Sequence, residues 1–595
     1  MSSEERMPWH KKRITIPLIS RGPEIPPLSA WYRIALSMPR ERLALFSALC
    51  LLFVISAVGI FKTVNDRFLV TVPASGGSLT EGVIGAPRFV NPLLAISQAD
   101  HDLTEIIYAG LMKLSPDGTL KPELAERYEM SPDGLEYTFH LRQGLLWHDG
   151  KALSANDVVF TIHRAQDPNL KSPKRPSWEG VTVEALDSQT VRFHLSQPFA
   201  SFLENATMGI LPEHIWGSIS SEVFPFSLWN SGAVGSGPYQ VVSVVKDKLG
   251  IPLYYELVPF DHYALGVPFI GVLRIRFYPN DDALTSALRS GEIESVAALS
   301  PAELSSLKES APRVVTARLP RIFAVFWNQN QAPIFAEKAV RKALDLSVSR
   351  SFIVRNALYG YAHTATSPLP SDAQTDEQRG NDDPSGREAQ AKAQAIKLLD
   401  GAGWKANPKS GVRSKKDKQL AFTLVTANTP ELKEVATLLK AGWEAIGARV
   451  TLRVFELGDL NQNIIRPRKY EALFFGEVVG REPDLFSFWH SSQRNDPGLN
   501  VALYTNTKTD KLLDEARRAV GAKQREQLFA DVVSQISEDV PAAFVYVPEF
   551  LYLIPDRVHG IALATITTAA ERFDTINTWY IETERVWKPF ATYNH

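Results

Sequence analysis

The sequence contains a single cysteine, Cys50, among 595 residues. One thiol cannot form a disulfide within the chain, and every zinc motif built from cysteine pairs is excluded. The chain also carries little net charge, since 64 lysine and arginine residues face 66 aspartate and glutamate residues. Broad nucleic-acid binding requires a clustered basic excess, so we expect no nucleic-acid partner.

Motifs for catalysis and nucleotide binding are also missing. No Gly-x-x-x-x-Gly-Lys-Ser/Thr motif occurs, so any ATPase involved would be a different chain. The pairs His101-Asp102 and His148-Asp149 have no His-x-x-x-His helix and no third ligand in view, which favours structural roles over catalytic or metal-binding ones. We therefore expect no enzymatic activity, no metal site and no cofactor.

One long apolar run, Leu43–Phe61, contains no charged residue. At about 1.5 Å per residue, a helix over this run nearly spans a hydrocarbon core of roughly 30 Å. The basic residues ahead of the run favour a cytoplasmic N-terminus, with the bulk of the chain in the periplasm or extracellular space. We expect residues 1–42 to form a proline-rich basic cytoplasmic tail and residues 43–61 a single anchor in the cytoplasmic (inner) membrane.

Two other interpretations of the apolar run stay open. Ala57-Val58-Gly59 offers a small-x-small cleavage site, but the segment ahead of the run is long for a signal peptide, which favours the anchor. Lipidation at Cys50 is disfavoured, because Ser47 and Leu49 stand where a lipobox has a leucine and a small residue.

Beyond the anchor, the hydrophobic periodicity predicts an α/β protein. Apolar and polar residues alternate over Leu135–Arg142 and Thr190–Leu195, as in half-buried strands. Three- and four-residue apolar spacing predicts helices over Asp100–Met112 and Glu431–Ile446, and Leu473–Val479 is an apolar strand. Strands that alternate with helices are typical of an α/β sheet.

A series of short motifs follows in a characteristic order along the chain. They are Tyr108-Ala109-Gly110-Leu111, Pro122-Glu123-Leu124-Ala125-Glu126, Ser131-Pro132-Asp133-Gly134, Trp147-His148-Asp149-Gly150, Ser154-Ala155-Asn156-Asp157 and Gly235-Ser236-Gly237-Pro238-Tyr239. Each is weak alone, but together they resemble the extracellular solute-binding proteins of ABC importers, family 5, the peptide- and nickel-binding type.

The resemblance implies a two-lobed type II periplasmic-binding-protein fold with an extra small α+β lobe. We expect the first lobe to comprise residues 62–115, 225–325 and 548–595, the extra lobe residues 116–224, and the second lobe residues 326–547. Two crossover strands, near Phe323–Trp327 and Val545–Val547, would join the main lobes. The implied function is that of a monomer that captures peptides and delivers them to an ABC permease with its ATPase.

The resemblance also implies where a peptide would bind. Ile96-Ser97-Gln98 would form an exposed edge that pairs with the peptide backbone. In peptide receptors of this family, an aspartate four residues before a Glu-Pro or Asp-Pro proline binds the terminal ammonium. Here the proline is Pro483 and the matching residue is Val479. An ammonium buried without a counter-charge costs several kcal/mol, so this departure questions tight peptide capture.

Two charged residues near Val479 could compensate for the missing aspartate. If the strand continues, Glu477, Val479 and Arg481 share one face. Glu477 could then bind the ammonium, or Arg481 could bind a carboxylate or phosphate. A surface ion pair between Glu477 and Arg481 is an equally open alternative.

Aromatic and amide side chains complete the predicted site. Trp327, Trp404, Phe475 and Tyr546 could line the cleft with apolar area, although a single aromatic more often belongs to the core. Asn328 and Asn330 offer polar contacts beside the crossover.

Val479 also keeps other functions open. The ligand could be a nickel chelate, a glycoside or an opine rather than a peptide. The closed lobes could alternatively signal through the cytoplasmic tail, which would make the protein a membrane-tethered sensor. An extracellular hydrolase is a more distant alternative.

Overall fold

The structure is a computed structural model that describes residues 39–115, 117–198, 202–297, 299–307, 313–370, 384–481, 485–519, 522–563 and 565–590. Pro483 of the sequence prediction therefore lies outside the described residues, as does most of the expected cytoplasmic tail. The chain divides into two compact units, residues 1–72 with 584–595, and residues 73–583.

The first unit is built on the helix Arg40–Phe68, which is longer at both ends than the apolar run. None of its residues is buried, and it is long and apolar enough to cross a membrane. The strand Leu69–Ala74 follows and pairs with Glu582–Trp587. Trp587 stacks on Phe68 with ring centroids 6.4 Å apart, and its indole N–H donates to Asn65 Oδ1 at 2.9 Å.

The second unit contains one sheet of twelve strands among its described residues. Along the main path the order is Arg449–Phe455, Ala421–Ala427, Ala472–Val478, Arg321–Trp327, Ala542–Ile554, Ser295–Ala297, Gly76–Ile84, Ile270–Tyr278, Pro252–Pro259 and Tyr239–Lys246. Arg313–Arg318 and Ala362–Thr364 also pair with Ala542–Ile554.

The strand Ala542–Ile554 belongs to both main lobes. Its N-terminal half pairs with Arg321–Trp327, where Phe323 lies opposite Tyr546. Its C-terminal half pairs with Ser295–Ala297 of the first lobe. The strands Arg321–Trp327 and Ala542–Ile554 thus confirm the predicted crossovers and the two-lobed architecture. The exact lobe boundaries given above stay a prediction.

A four-stranded antiparallel sheet forms the core of the small lobe, in the order Ala125–Met130, Glu136–Leu141, Thr190–Leu195 and Val181–Ala185. The hairpin Met112–Leu114 with Leu120–Pro122 lies beside it in sequence. Helix Ala155–Gln166 begins at Ser154, whose backbone N–H donates to Asp157 Oδ2 at 2.8 Å. This contact is a capping box, which satisfies backbone donors that a helix start leaves unpaired.

The remaining helices cover the sheet. In the first and small lobes they are Gln98–Ile107, Arg175–Trp178, Phe202–Asn205, Glu213–Trp216, Asp281–Ser290 and Pro301–Ser306. In the second lobe they are Lys338–Leu346, Arg350–Asn356, Pro384–Gly401, Pro430–Glu444, Leu457–Asp459, Phe486–Trp489, Thr507–Arg518 and Ala522–Asp539.

Most predicted elements are confirmed within two or three residues at each end. Helix Gln98–Ile107 is an exception, because the prediction extended it to Met112. Tyr108 has an extended backbone, with φ −110° and ψ 154°, and Met112 already belongs to a strand. The continuing apolar residues reflect burial in that strand rather than helical spacing.

A buried arginine connects the C-terminal part of the second unit with the strand and the helix that begin the first lobe. Arg572 is 1% exposed. Its guanidinium donates to both oxygens of Asp102, at 2.9 and 2.7 Å, and to Glu81 Oε1 at 2.8 Å. Tyr552 donates to the other oxygen of Glu81 at 2.6 Å. Strand, helix and C-terminal segment therefore meet at one charge network.

We predict that Arg572→Ala lowers the free energy of unfolding by about 3–5 kcal/mol, because Glu81 and Asp102 are left as buried unpaired carboxylates. Urea unfolding of the full chain in detergent, followed by tryptophan fluorescence, measures the change. The matched control is Arg557→Ala, since Arg557 is 45% exposed in its pair with Glu294 and should contribute at most about 1 kcal/mol. Equal unfolding midpoints for the two variants would contradict the prediction.

Candidate functional site

A cavity of about 280 Å³ lies where the first, small and second lobes meet. Its lining includes Thr104, Glu105 and Lys113 of the first lobe, Glu204 of the small lobe, Arg481 of the second lobe, and Glu571 and Asp574 of the C-terminal segment. Side chains far apart in sequence thus face one polar space. Concave sites of this kind, with a few converging polar groups, are the usual place for a small ligand.

Two local structures aim these side chains at the cavity. Helix Gln98–Ile107 places His101, Thr104 and Glu105 on one face, as their three- and four-residue spacing requires. The short helical turn Ala569–Phe573 carries Glu571, and Asp574 follows it directly. Arg572 points the opposite way, into the buried network with Glu81 and Asp102.

Lys113 is a buried cation at this site. Its ammonium lies 3.3 Å from Glu123 Oε1, 3.9 Å from Glu105 Oε1 and 3.2 Å from the Tyr263 hydroxyl. Burial opposes its charge, but the surrounding acids, Glu123 above all, hold the pKa of Lys113 well above its ordinary value. Lys113 therefore stays charged and neutralises one of the neighbouring carboxylates.

Glu105 and Asp574 form a pair of neighbouring carboxyl groups. Burial raises the pKa of both, that of Asp574 to well above its ordinary value, and Glu105 adds to that shift. Asp574 is 8% exposed, and its Oδ2 atom has no hydrogen-bond partner among the described residues. Burial and the neighbouring Glu105 therefore both favour the protonated form of Asp574.

Arg481 connects the second lobe with the other two lobes. Its Nη2 donates to Glu571 Oε2 at 2.6 Å, and its Nη1 lies 3.8 Å from Glu204 Oε1. Its Nε has no hydrogen-bond partner in the part of the chain that the structure describes. Arg481 is thus a predicted site residue that the structure places in the cavity lining.

The predicted common face of Glu477, Val479 and Arg481 is wrong. The strand ends at Val478, and Gly480 has a φ of +80°, a left-handed conformation that redirects the chain before Arg481. Val479 is buried, and its N–H donates to Pro320 O at 2.8 Å. The proposed surface pair of Glu477 with Arg481 is therefore also wrong, since Arg481 pairs with Glu571.

Glu477 is a buried carboxyl that is absent from the lining of this cavity. It is 6% exposed, and its Oε1 atom has no hydrogen-bond partner among the described residues. Burial raises its pKa well above the ordinary value, so this group is neutral over a wide pH range. A neutral acid is a poor counter-charge for an ammonium, and a role in ligand binding stays a prediction.

The Ile96-Ser97-Gln98 segment is a helix start rather than a strand edge. The N–H groups of Ile96 and Ser97 donate to Asp100 Oδ2 at 3.3 and 3.0 Å, so these two backbone donors already have partners. Ser97 caps helix Gln98–Ile107, and the Ile96 side chain is 71% exposed. The N–H groups of Ile96 and Ser97 are therefore not available to a peptide backbone, whereas contact of this segment with a ligand stays a prediction.

Three of the four predicted aromatic contacts lie in the interior of the second lobe. Trp327 and Trp404 are buried at 0% and 1% exposure, and the Trp404 indole donates to Glu337 at 3.2 Å. Tyr546 is buried, stacks on Phe323 and donates to Glu431 at 2.6 Å. These residues stabilise the lobe rather than line the cavity, while Phe475 is half-buried.

The two asparagines form a turn after the crossover strand. Asn328 is fully buried, and its Oδ1 accepts the N–H groups of Asn330 and Gln331 at 3.0 and 3.2 Å. Its side-chain amide donates to Arg468 O at 3.0 Å. All of its polar atoms are therefore used internally, and only Asn330 is exposed.

Sequence reasoning missed most of the charged lining. One signal was present for Lys113, which stands between two apolar residues in a strand whose three members are all buried. A charged residue at such a position requires a buried partner. No comparable signal marks Glu105 or Asp574, because their meeting depends on the fold.

The fold and the interlobe site define a two-lobed solute-binding protein. Residues 119–499 match the family described as bacterial extracellular solute-binding proteins, family 5 Middle. The match covers more than half of the chain, so the chain belongs to this family of extracytoplasmic solute receptors. The predicted resemblance is confirmed.

Individual relatives extend over most of the chain. Oligopeptide-binding protein AppA from Bacillus subtilis is 28% identical over 501 residues, 82% of this chain and 89% of AppA. Its structure in complex with a nonapeptide matches with a TM-score of 0.61 and 26% identity over 86% of this chain and 100% of that chain. NikZ from Campylobacter jejuni, in complex with Ni(L-His), matches with a TM-score of 0.62 and 25% identity over 84% and 99%.

We predict that Glu477→Gln stabilises the protein increasingly as the pH rises. The folded state holds the Glu477 proton more tightly than the unfolded state, so wild-type stability falls as the pH increases above the ordinary glutamate pKa of 4.5. The variant lacks this titration, and its advantage should grow by up to about 1.4 kcal/mol per pH unit. Urea unfolding from pH 5 to pH 8 measures it, with the exposed Glu434→Gln as control. A pH-independent difference would contradict the prediction.

We predict that Arg481→Ala shifts the ligand-free protein toward the open form. Loss of a partly buried ion pair worth about 1 kcal/mol changes the ratio of open to closed molecules roughly fivefold. Spin labels at Lys121→Cys and Lys440→Cys, in a Cys50→Ser background, report the distance between the small and second lobes. Arg466→Ala removes only an exposed pair with Asp496 and serves as control. Identical distance distributions for the wild type, Arg481→Ala and Arg466→Ala would rule out a role for Arg481 in closing the lobes.

Proposed function

We propose that this protein is a membrane-anchored extracytoplasmic receptor that captures peptides and delivers them to an ABC import permease. The observation that carries the proposal is the interlobe ion pair between Arg481 and Glu571. A ligand in the adjoining cavity contacts both lobes at once. Such a ligand binds the closed form best and shifts the population toward it.

Peptides are the ligand class best supported by the relatives. AppA is an oligopeptide-binding protein whose structure holds a nonapeptide. The cavity described here has a volume of about 280 Å³, which is near the lower end of the usual range for small-molecule sites. We therefore propose short peptides, and the polar lining supports ligands that carry charge.

The helix Arg40–Phe68 acts as the anchor in this proposal. An anchored monomeric receptor stays at high effective concentration near its permease, which raises the rate of delivery without any additional contact. The ATPase that drives import is a separate chain, and the receptor performs no chemistry on its ligand.

A non-peptide solute is the second candidate, favoured by Val479 at the position of the ammonium-binding aspartate. NikZ, a relative of the same fold, holds Ni(L-His). A metal chelate of that size would fit a small cavity without needing the missing aspartate.

Native mass spectrometry of the full chain purified in detergent tests the proposal. We expect masses of short peptides to leave the protein upon activation, together with the apo protein mass. The control is the same protein unfolded, dialysed and refolded, which should carry no adduct and should rebind the released fraction. Recovery of a metal chelate, glycoside or opine would instead establish the second candidate. Chemical conversion of the released fraction after it is added back to the protein would contradict a receptor function.

A further inference from the structure

The cavity offers an acidic pocket for an ammonium group, away from the position where Val479 replaces an aspartate. Asp574 is more than nine-tenths buried, lines the cavity and has an oxygen atom, Oδ2, that accepts no hydrogen bond from the described residues. Thr104 Oγ1 is likewise buried without a partner among those residues and lines the same cavity. Unpartnered buried polar atoms are rare in native structures and call for a ligand or ordered water.

The charges of the cavity favour a cation. The lining contains five carboxyl groups, on Glu105, Glu123, Glu204, Glu571 and Asp574, and three permanent cations, on Lys113, Lys174 and Arg481. Lys113 lies nearest to Glu123, and Arg481 is bonded to Glu571. Two more negative than positive groups therefore remain when all are ionised.

The donors of an ammonium group suit the acceptor oxygens of the lining that have no cationic partner nearer than Lys113. An ammonium has three N–H donors and no acceptor. Glu105, Asp574 and Thr104 together supply acceptor oxygens from two segments of the first lobe, one of them the helix Gln98–Ile107 and the other the turn after Phe573. Charge-assisted hydrogen bonds to a carboxylate are about twice as strong as neutral ones.

We infer that Glu105 and Asp574, assisted by Thr104, bind the α-ammonium group of the peptide. This inference rests on the proposed peptide-receptor function. The ammonium is then bound by Glu105 and Asp574 of the first lobe, and not at the second-lobe position where Val479 replaces an aspartate. The peptide then extends from this pocket toward Arg481.

Binding at this pocket is coupled to proton release. Burial and Glu105 favour the protonated form of Asp574, and an arriving ammonium group would displace that proton. The groups that face the pair are Lys113, Glu123 and Glu571, and the cavity also contains His101, Lys174, Glu204 and Arg481. Because the pKa of Asp574 and of Glu105 is raised in the empty protein, affinity should increase with pH above about 4 until the α-amino group itself loses its proton near pH 8.

A competition experiment tests the anchor directly. The full chain in detergent is incubated with an equimolar pool of unmodified tri- to hexapeptides and the same pool acetylated at the N-terminus, and the retained peptides are quantified by mass spectrometry. We expect the wild type to retain the unmodified peptides preferentially. Asp574→Asn and Glu105→Gln should each reduce retention of the unmodified pool by about 10- to 100-fold, as for the loss of one charged hydrogen bond. The exposed Asp556→Asn is the matched control.

Four results overturn the inference. Equal retention of both pools by the wild type, or unchanged preference in both Asp574→Asn and Glu105→Gln, would show that the ammonium binds elsewhere while leaving peptide capture intact. Retention of neither pool by the wild type would contradict the proposed peptide-receptor function itself. Proton release supplies a separate readout, because the wild-type binding heat should depend on the ionisation enthalpy of the buffer at pH 6 and that of Asp574→Asn should depend on it less. A buffer-independent wild-type heat would also overturn it.

Discussion

The architecture around the cavity depends on the buried contact of Arg572 with Glu81 and Asp102. Glu81 lies in a central strand of the sheet, Asp102 in the helix that lines the cavity, and Arg572 in a turn from the C-terminal part of the chain. Fully paired, this network fixes a segment that has little regular structure of its own. If the network were broken, the charges of Arg572, Glu81 and Asp102 would be buried without a partner. This cost in free energy is large enough to favour a single arrangement of the segment.

The same contact explains how an irregular segment can contribute to a binding site. Glu571 and Asp574 flank residues whose side chains are buried, so their backbone positions are set by the core rather than by the ligand. Glu571 then receives Arg481 from the second lobe, and Asp574 faces Glu105. A rigid turn that presents several carboxyl groups is preorganised, which lowers the ordering cost that a ligand must offset.

The fold could be predicted from the sequence to a large extent, because its signals are local. Alternating residues marked the strand Thr190–Leu195, and three- and four-residue apolar spacing marked the helix Pro430–Glu444. The cavity could not be predicted in this way, since its carboxyl groups come from residues 105, 123, 204, 571 and 574 and meet only through tertiary packing. The prediction that Glu477, Val479 and Arg481 share one face of a strand failed at Gly480, because its left-handed backbone redirects the chain before Arg481. The aromatic predictions failed for a different reason, because Trp327 and Trp404 are large enough to form the centre of a lobe.

The strand Ala542–Ile554 has a mechanical consequence. It is hydrogen-bonded to strands of both main lobes along its 13 residues, and sliding one lobe past the other would break several ladder bonds at once. Bending or twisting of the shared strand breaks few of them. Motion of the lobes is therefore restricted to rotation about an axis near this strand, and translation is suppressed by the backbone itself.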